Sequence, residues 1–285
     1  MKRFGFTLFL ALLVVGLAGT ALAQGQPTLE KIKNSGVFTI GVRNASPPFS
    51  FINKQNERAG FANDLAMLVH KGIEQKLGKQ VKLEMKETSP TTRIPLLTSM
   101  AVDLVTETMT DTRARRDSVD FSLTYFLTGA DFIVKKGSPI KGTKDIAGKR
   151  IGTQQGSTNE KVLREKYTAQ LVTFPDQAAA FMALQQGKLD AYCNDAIQLW
   201  GLKYKSQTPD QWEVVGDWIS YEPYGMAMRK NDSDFRAVVN NALMDAIEGG
   251  EYFKLYEKWF GTKGEVPYPM SQAFKSFLLY QVVPK

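Results

Sequence analysis

The chain has 285 residues, 43% of them hydrophobic, and a formal net charge of +7, to which Lys2 and Arg3 contribute two units. That apolar share suffices for a packed core, no apolar run after residue 23 reaches membrane-spanning length, and the scattered Lys and Arg form no aromatic-interleaved stripe for nucleic acid. Single residues Cys193 and His70 exclude an intramolecular disulfide and a His-rich metal site, and leave His70 as the sole imidazole base for any Ser/His/Asp or Cys/His set.

Lys2 and Arg3, the apolar run Leu8–Leu17 and the small residues Ala21-Leu22-Ala23 make the three-part pattern of a cleaved signal peptide over 1–23. Export to the periplasm is therefore expected. Val37–Val42 is β-branched and apolar, and reads as a buried strand ended by Pro47-Pro48. Residues 49–52 resume a strand, and 53–58 are a polar turn. Asn63 is placed as the cap of a helix carrying Leu65, Leu68, Val69, Ile73 and Leu77, stopped at Gly78. His70 lies inside that helix and is read as structural. Val81, Leu83 and Met85 alternate with charges as in a half-buried strand. Pro90 suits the first turn of a helix reaching about Met100, and Leu104-Val105 begin another strand.

This strand–helix rhythm argues for a parallel sheet flanked by helices, and it recurs after residue 128. Strands are expected at Asp131–Lys135, Ile151–Thr153, Leu171–Phe174 and Leu189–Cys193, with helices opening at Ser157 and Asp176. From Gly225 a strand is followed by helices near 234–248 and 251–259. The tail beyond Gly261 is expected to be loose.

Three segments put polar groups where parallel strands end, the usual ligand position in open α/β sheets. Gly156-Ser157-Thr158-Asn159-Glu160 is a capping box; its helix N-terminus either serves only as a cap or attracts a carboxylate. Thr106, Thr108 and Thr110 alternate along a strand ahead of Arg115, which is either a carboxylate grip or part of an exposed basic turn with Arg113 and Arg116. Asp195 follows a strand and either caps the next helix or holds an ammonium group.

In chain order, Gly41-Val42-Arg43 through Phe51, Gly60-Phe61 with Asp64-Leu65-Ala66, Arg93–Leu97, Arg115 through Ser122, Gly156–Thr158 with Glu160, Gly187–Asp195 and Glu222–Gly225 resemble the periplasmic amino-acid-binding proteins of ABC transporters, solute-binding family 3. The resemblance covers nearly all of the chain after residue 23. It is closest to the glutamate/aspartate-binding branch, through Arg43 six residues before Phe49, the Arg93-Ile94-Pro95-Leu96-Leu97 segment, and Val266-Pro267 with Pro269-Met270-Ser271. It implies the type II binding-protein fold, an α/β protein of two lobes, each a mostly parallel sheet with flanking helices, around a cleft. Lobe 1 is expected at 24–127 and 226–285, and lobe 2 at 128–225.

The resemblance further implies that Arg115 and Thr110 hold the ligand's α-carboxylate, and that Asp195 and the Thr108 backbone hold its α-ammonium. Ser157 and Thr158 add bonds from the second lobe, and Arg43 and Arg93 face the ligand side chain. Gln177 stands where that branch carries a histidine, Glu107 where it carries a small residue, and Ser46 where many relatives stack an aromatic. These departures keep glutamine and asparagine beside glutamate and aspartate as ligands. Counting three arginines against one aspartate favours the acidic pair. A membrane permease is the expected partner of a monomer, with no cofactor, metal or nucleic acid. The rival readings are a cyclohexadienyl-dehydratase-like enzyme, for which Glu107 is the one unusual acid or base, a transglycosylase-fused domain, and a receptor sensor domain.

Overall fold

Strand β1 (Val37–Val42) lies at the centre of a parallel trio, paired with β5 (Lys82–Glu87) on one side and β6 (Leu104–Val105) on the other. The computed structural model describes residues 25–285; the expected signal peptide lies outside the described residues. Between β1 and β5 come the small antiparallel sheet β2 (Ala45–Ser46), β3 (Ser50–Ile52) and β4 (Arg58–Ala59), and the helix α2 (Phe61–Leu77), preceded in the chain by α1 (Thr28–Ser35). Helices α3 (Arg93–Thr98) and α4 (Arg113–Arg116) flank β6 in sequence.

β7 (Val119–Lys135) then runs unbroken through both halves. The later elements are β8 (Arg150–Gln154), α5 (Thr158–Lys166), β9 (Gln170–Phe174), α6 (Gln177–Gln185), β10 (Ala191–Asp195), α7 (Ala196–Lys205), β11 (Trp212–Val215) and β12 (Tyr221–Arg229). Helices α8 (Ser233–Glu248), α9 (Glu251–Phe260) and α10 (Gln272–Tyr280) close the chain. The main sheet runs β5-β1-β6-β12-β7-β10-β8-β9, with β11 also on β7. β8 pairs in parallel with β9 and β10, as β1 does with β5 and β6. The first trio joins the antiparallel β12 through β6 and the second joins β7 through β10; β7 pairs with β12 up to Gly129 and with β10 from Ala130 onward. This is the two-lobed α/β architecture expected from the strand–helix rhythm.

An aromatic cluster ties the crossing strands to the first lobe. Phe126 of β7 meets Phe49 at 4.9 Å and Phe260 at 5.1 Å between ring centroids, and Tyr224 of β12 meets Phe49 at 5.5 Å. Edge-on aromatic packing of this kind adds about 0.5–1.5 kcal/mol per pair beyond area burial. His70 stacks on Phe38 and bonds the Val81 carbonyl, a structural role as read.

Some local expectations give way. Helix α2 starts at Phe61, so Asn63 lies within the first turn, its Nδ2 donating to the Ala59 carbonyl rather than capping. Helix α3 starts at Arg93, because Ser89 and Thr92 exchange backbone-to-hydroxyl bonds across Pro90 and delay the helix. The tail is packed: Val266 and Leu278 are fully buried, and the Gln281 side chain bonds both backbone groups of Thr124 on β7. Apolar residues spaced along a short helix anchor a segment that composition alone reads as loose.

The halves meet where α7 of the second presses on Pro47 of the first. A Cβ on Gly201 would stand 2.3 Å from the Pro47 carbonyl oxygen. Alanine is itself favoured over glycine inside a helix by about 0.5–1 kcal/mol. Gly201→Ala is therefore expected to keep the melting temperature while holding the lobes further apart, seen as a larger radius of gyration by small-angle scattering. An unchanged scattering curve would contradict the closeness of this contact.

Candidate functional site

Arg43, at the end of β1, and Arg93, at the start of α3, are brought together although fifty residues of chain separate them; both are buried. They border a cavity with Thr108, Thr110, Arg115, Ser157, Thr158 and Asp195. Eight of the nine expected site residues therefore meet at one place, drawn from both lobes. Gln177 is the exception. It lies behind the wall, its Nε2 donating to the Ala45 carbonyl at 2.7 Å and its Oε1 accepting from Asn194 at 2.9 Å.

The free space between these side chains is about 20 Å3, roughly room for one water. The walls touch through polar contacts between the lobes. Ser46 Oγ donates to Gln198 Oε1 at 2.9 Å, and Arg115 Nη2 reaches the Gly156 carbonyl at 3.5 Å. With its amide oriented so that Oε1 faces the donors, Gln154 accepts from Arg43 Nη2 at 2.9 Å and from the Gln177 backbone at 3.1 Å. A ligand larger than water enters only when the lobes part.

Arg115 is lifted into the cleft by α4, whose cap is Thr112, accepting from the Arg115 backbone. Its Nη1 donates to the Thr110 carbonyl at 2.8 Å. Burial and the neighbouring Arg93 pull its guanidinium down to about 9, still cationic at neutral pH. Burial also pulls Arg93 below its ordinary value; Glu107 opposes that shift and Arg43 adds to it. Arg93 Nη1 donates to the Thr108 carbonyl at 3.2 Å, while its Nε is buried with no partner among the described residues. That nitrogen is an open donor on a residue that lines the cavity.

Asp195 occupies the cap position of α7 but its side chain makes no capping bond. It accepts from Asn159 Nδ2 at 2.8 Å, from Gln198 Nε2 at 3.3 Å and from the Tyr224 hydroxyl, which the aromatic cluster holds in place. Burial first, and then the charge of Glu222, raises its carboxyl to about 7. A cationic group arriving beside it would restore ionisation. Asn159 Oδ1 is likewise buried without a partner among the described residues, an acceptor open to a donor.

The capping box at α5 forms with one difference. Ser157 Oγ accepts from the Glu160 backbone, while the Glu160 carboxylate reaches Gly156 N, one residue earlier than the cap itself. Gly156 adopts φ of +74°, a left-handed conformation that glycine takes freely. Thr110 and Thr158, from opposite lobes, both donate their hydroxyls to Glu222 Oε2, at 2.5 Å and 2.7 Å. Their protons committed there, these oxygens face the cleft as acceptors.

Gln154 and Gln198 are not singled out by the sequence, and Asn159 and Glu222 enter only as members of longer segments with no role of their own. Each is a polar residue within a helix or strand, where the default reading is solvation. Asn159 and Gln198 follow Ser157 and Asp195 within one helical turn, which is the available signal.

The model of the bacterial extracellular solute-binding proteins, family 3, matches residues 38–262. An L-glutamate/L-aspartate-binding protein of Pseudomonas aeruginosa is 34% identical over 88% of this chain and 87% of its own length. An ABC transporter glutamine-binding protein of Bacillus subtilis is 34% identical over 81% of this chain and 84% of its own. Among solved structures, an ancestral arginine-binding protein bound to glutamine is similar at a TM-score of 0.70 and 38% identity, over 79% of this chain and 98% of that one. With the family's pattern running through both lobes and around the cleft, this chain belongs to the bacterial extracellular solute-binding proteins, family 3.

Proposed function

We propose that the chain captures a free acidic amino acid, glutamate or aspartate, between its lobes and delivers it unchanged to the membrane permease of an ABC importer. The observation that carries this reading is the convergence of three guanidinium groups and Asp195 on one small polar cavity. Two carboxylates and one ammonium complement that set. Arg115 takes the α-carboxylate and Asp195 the α-ammonium; Thr110, expected on the carboxylate, gives its proton to Glu222 and so joins Thr158 as an acceptor for the ammonium, and the Thr108 carbonyl expected there is taken by Arg93. Arg93, with its open Nε, takes the side-chain carboxylate, and Arg43 stands beside it with its terminal nitrogens held by Glu107 and Gln154. A closed cleft that stranded a buried arginine would be destabilised by about 3–5 kcal/mol. The likeness to glutamate/aspartate-binding relatives supports the same choice.

The lobes are assigned to 24–127 with 226–285 and to 128–225, closing by a hinge at the crossing strands β7 and β12. The positive start and apolar run of 1–23 support export to the periplasm. A second reading, glutamine or asparagine, is favoured by Glu107, which already pairs with Arg43 at 3.2 Å. Calorimetry against the twenty amino acids separates the two readings, and a tighter fit for glutamine than glutamate would overturn the acidic one. Consumption of a cyclic dienyl acid by the purified protein would overturn the binding reading itself.

Arg115→Ala and Asp195→Ala are each expected to weaken every amino acid by more than about tenfold, roughly 1.4 kcal/mol. A smaller loss in either variant would contradict that residue's role. The raised carboxyl of Asp195, at about 7, adds a pH dependence. Below that value the free protein holds a proton that the arriving ammonium expels. Affinity is therefore expected to rise from pH 5.5 to 7.5, by at most about tenfold per unit for one linked proton, and to flatten above. Calorimetry in two buffers of different ionisation heat checks the proton release; affinity constant over that range would contradict it.

A further inference from the structure

Glu107 is fully buried and stands behind the arginines rather than on the cavity wall. Thr88 Oγ1 donates to its Oε1 at 2.7 Å. Its Oε2 accepts from Arg43 Nη1 at 3.2 Å and lies 3.7 Å from Arg93 Nη1. Its backbone carbonyl accepts from the Tyr125 hydroxyl at 3.0 Å, so the residue is held from both ends. Both terminal nitrogens of Arg43 are engaged inside the protein, one by Glu107 and one by Gln154. Arg93 keeps a buried nitrogen without a partner among the described residues.

We propose that Glu107 is a specificity-determining positioning residue, an internal counter-ion that neutralises Arg43 from behind and leaves the side-chain end of the cleft with one net positive charge, carried by Arg93. This rests on the amino-acid-capture reading above and deepens it. Two unpaired guanidiniums would demand an anionic side chain. One guanidinium beside a neutralised pair accepts either a carboxylate or the carbonyl of an amide. Glu107 thus narrows the gap between glutamate and glutamine, because specificity is the difference of two affinities. The acid stays the preferred ligand, and its amide becomes a second, weaker ligand of the same site.

The test compares glutamate and glutamine on the full chain by calorimetry. Glu107→Gln removes the charge and keeps the shape. The ratio of the glutamine Kd to the glutamate Kd is expected to rise by at least about tenfold over wild type, or about 1.4 kcal/mol. A purely structural role would weaken both ligands together, and a rise short of about tenfold overturns the proposal. Arg43→Gln with Glu107→Gln removes the ion pair as a unit and leaves no unpaired charge there if the single variant fails to fold. It is expected to lose affinity for both ligands while its ratio stays within about threefold of wild type; a selective loss of glutamate beyond that overturns the proposal. If wild type binds neither ligand, the capture reading falls and this proposal with it; if wild type binds and the ratios ignore Glu107, only this proposal falls.

Discussion

Three guanidinium groups share one cleft almost sealed from water, and the surrounding structure answers the repulsion this creates. Two like charges about 4 Å apart repel by about 4 kcal/mol at the effective dielectric of a protein site. The protein supplies part of the answer itself. Glu107 sits against Arg43 and Arg93, and the charges of Glu222 and Asp195 act on Arg115. The remaining valences, Arg93 Nε and Asn159 Oδ1, point to an arriving group that both accepts and donates. A zwitterion with a polar side chain has that pattern.

Placing these groups depends on the crossing strands. β7 and β12 carry the chain between lobes, and the aromatic cluster of Phe49, Phe126, Tyr224 and Phe260 anchors them in the first. Tyr224 belongs to both systems: its ring packs in the cluster and its hydroxyl reaches Asp195. Glu222, two residues earlier on β12, gathers hydroxyls from both lobes. Through Glu222 and Tyr224, the crossing strand β12 is thus bonded to polar residues of the cleft wall from both sides.

Much of this was legible because its causes are local. A β-branched run made β1, helical spacing made α2, and the Ser157 and Asp176 caps opened α5 and α6 where expected. Arg115 and Asp195 stood out because charged residues at strand ends and helix starts are read against the topology, whereas Arg43 and Arg93 came only through the family resemblance. Local rules failed where a distant partner decides. Asn63 looks like a cap, but the helix begins two residues earlier. Gln177 aligns with a ligand position, yet its amide is taken by Ala45 and Asn194. The continuity of β7 and the docking of the tail depend on β12 and Thr124, contacts that no window of sequence contains. Glu107 was visible as an odd acid among threonines, but its pairing with two arginines came only from the fold.

The most direct measurement is a crystal structure of the chain with its tightest-binding amino acid. The expected density lies between Arg115 and Asp195, with the α-carboxylate on Arg115, the α-ammonium on Asp195 and the side chain reaching Arg93. An amino acid lying in the reverse orientation, or bound outside this cleft, would contradict its assignment.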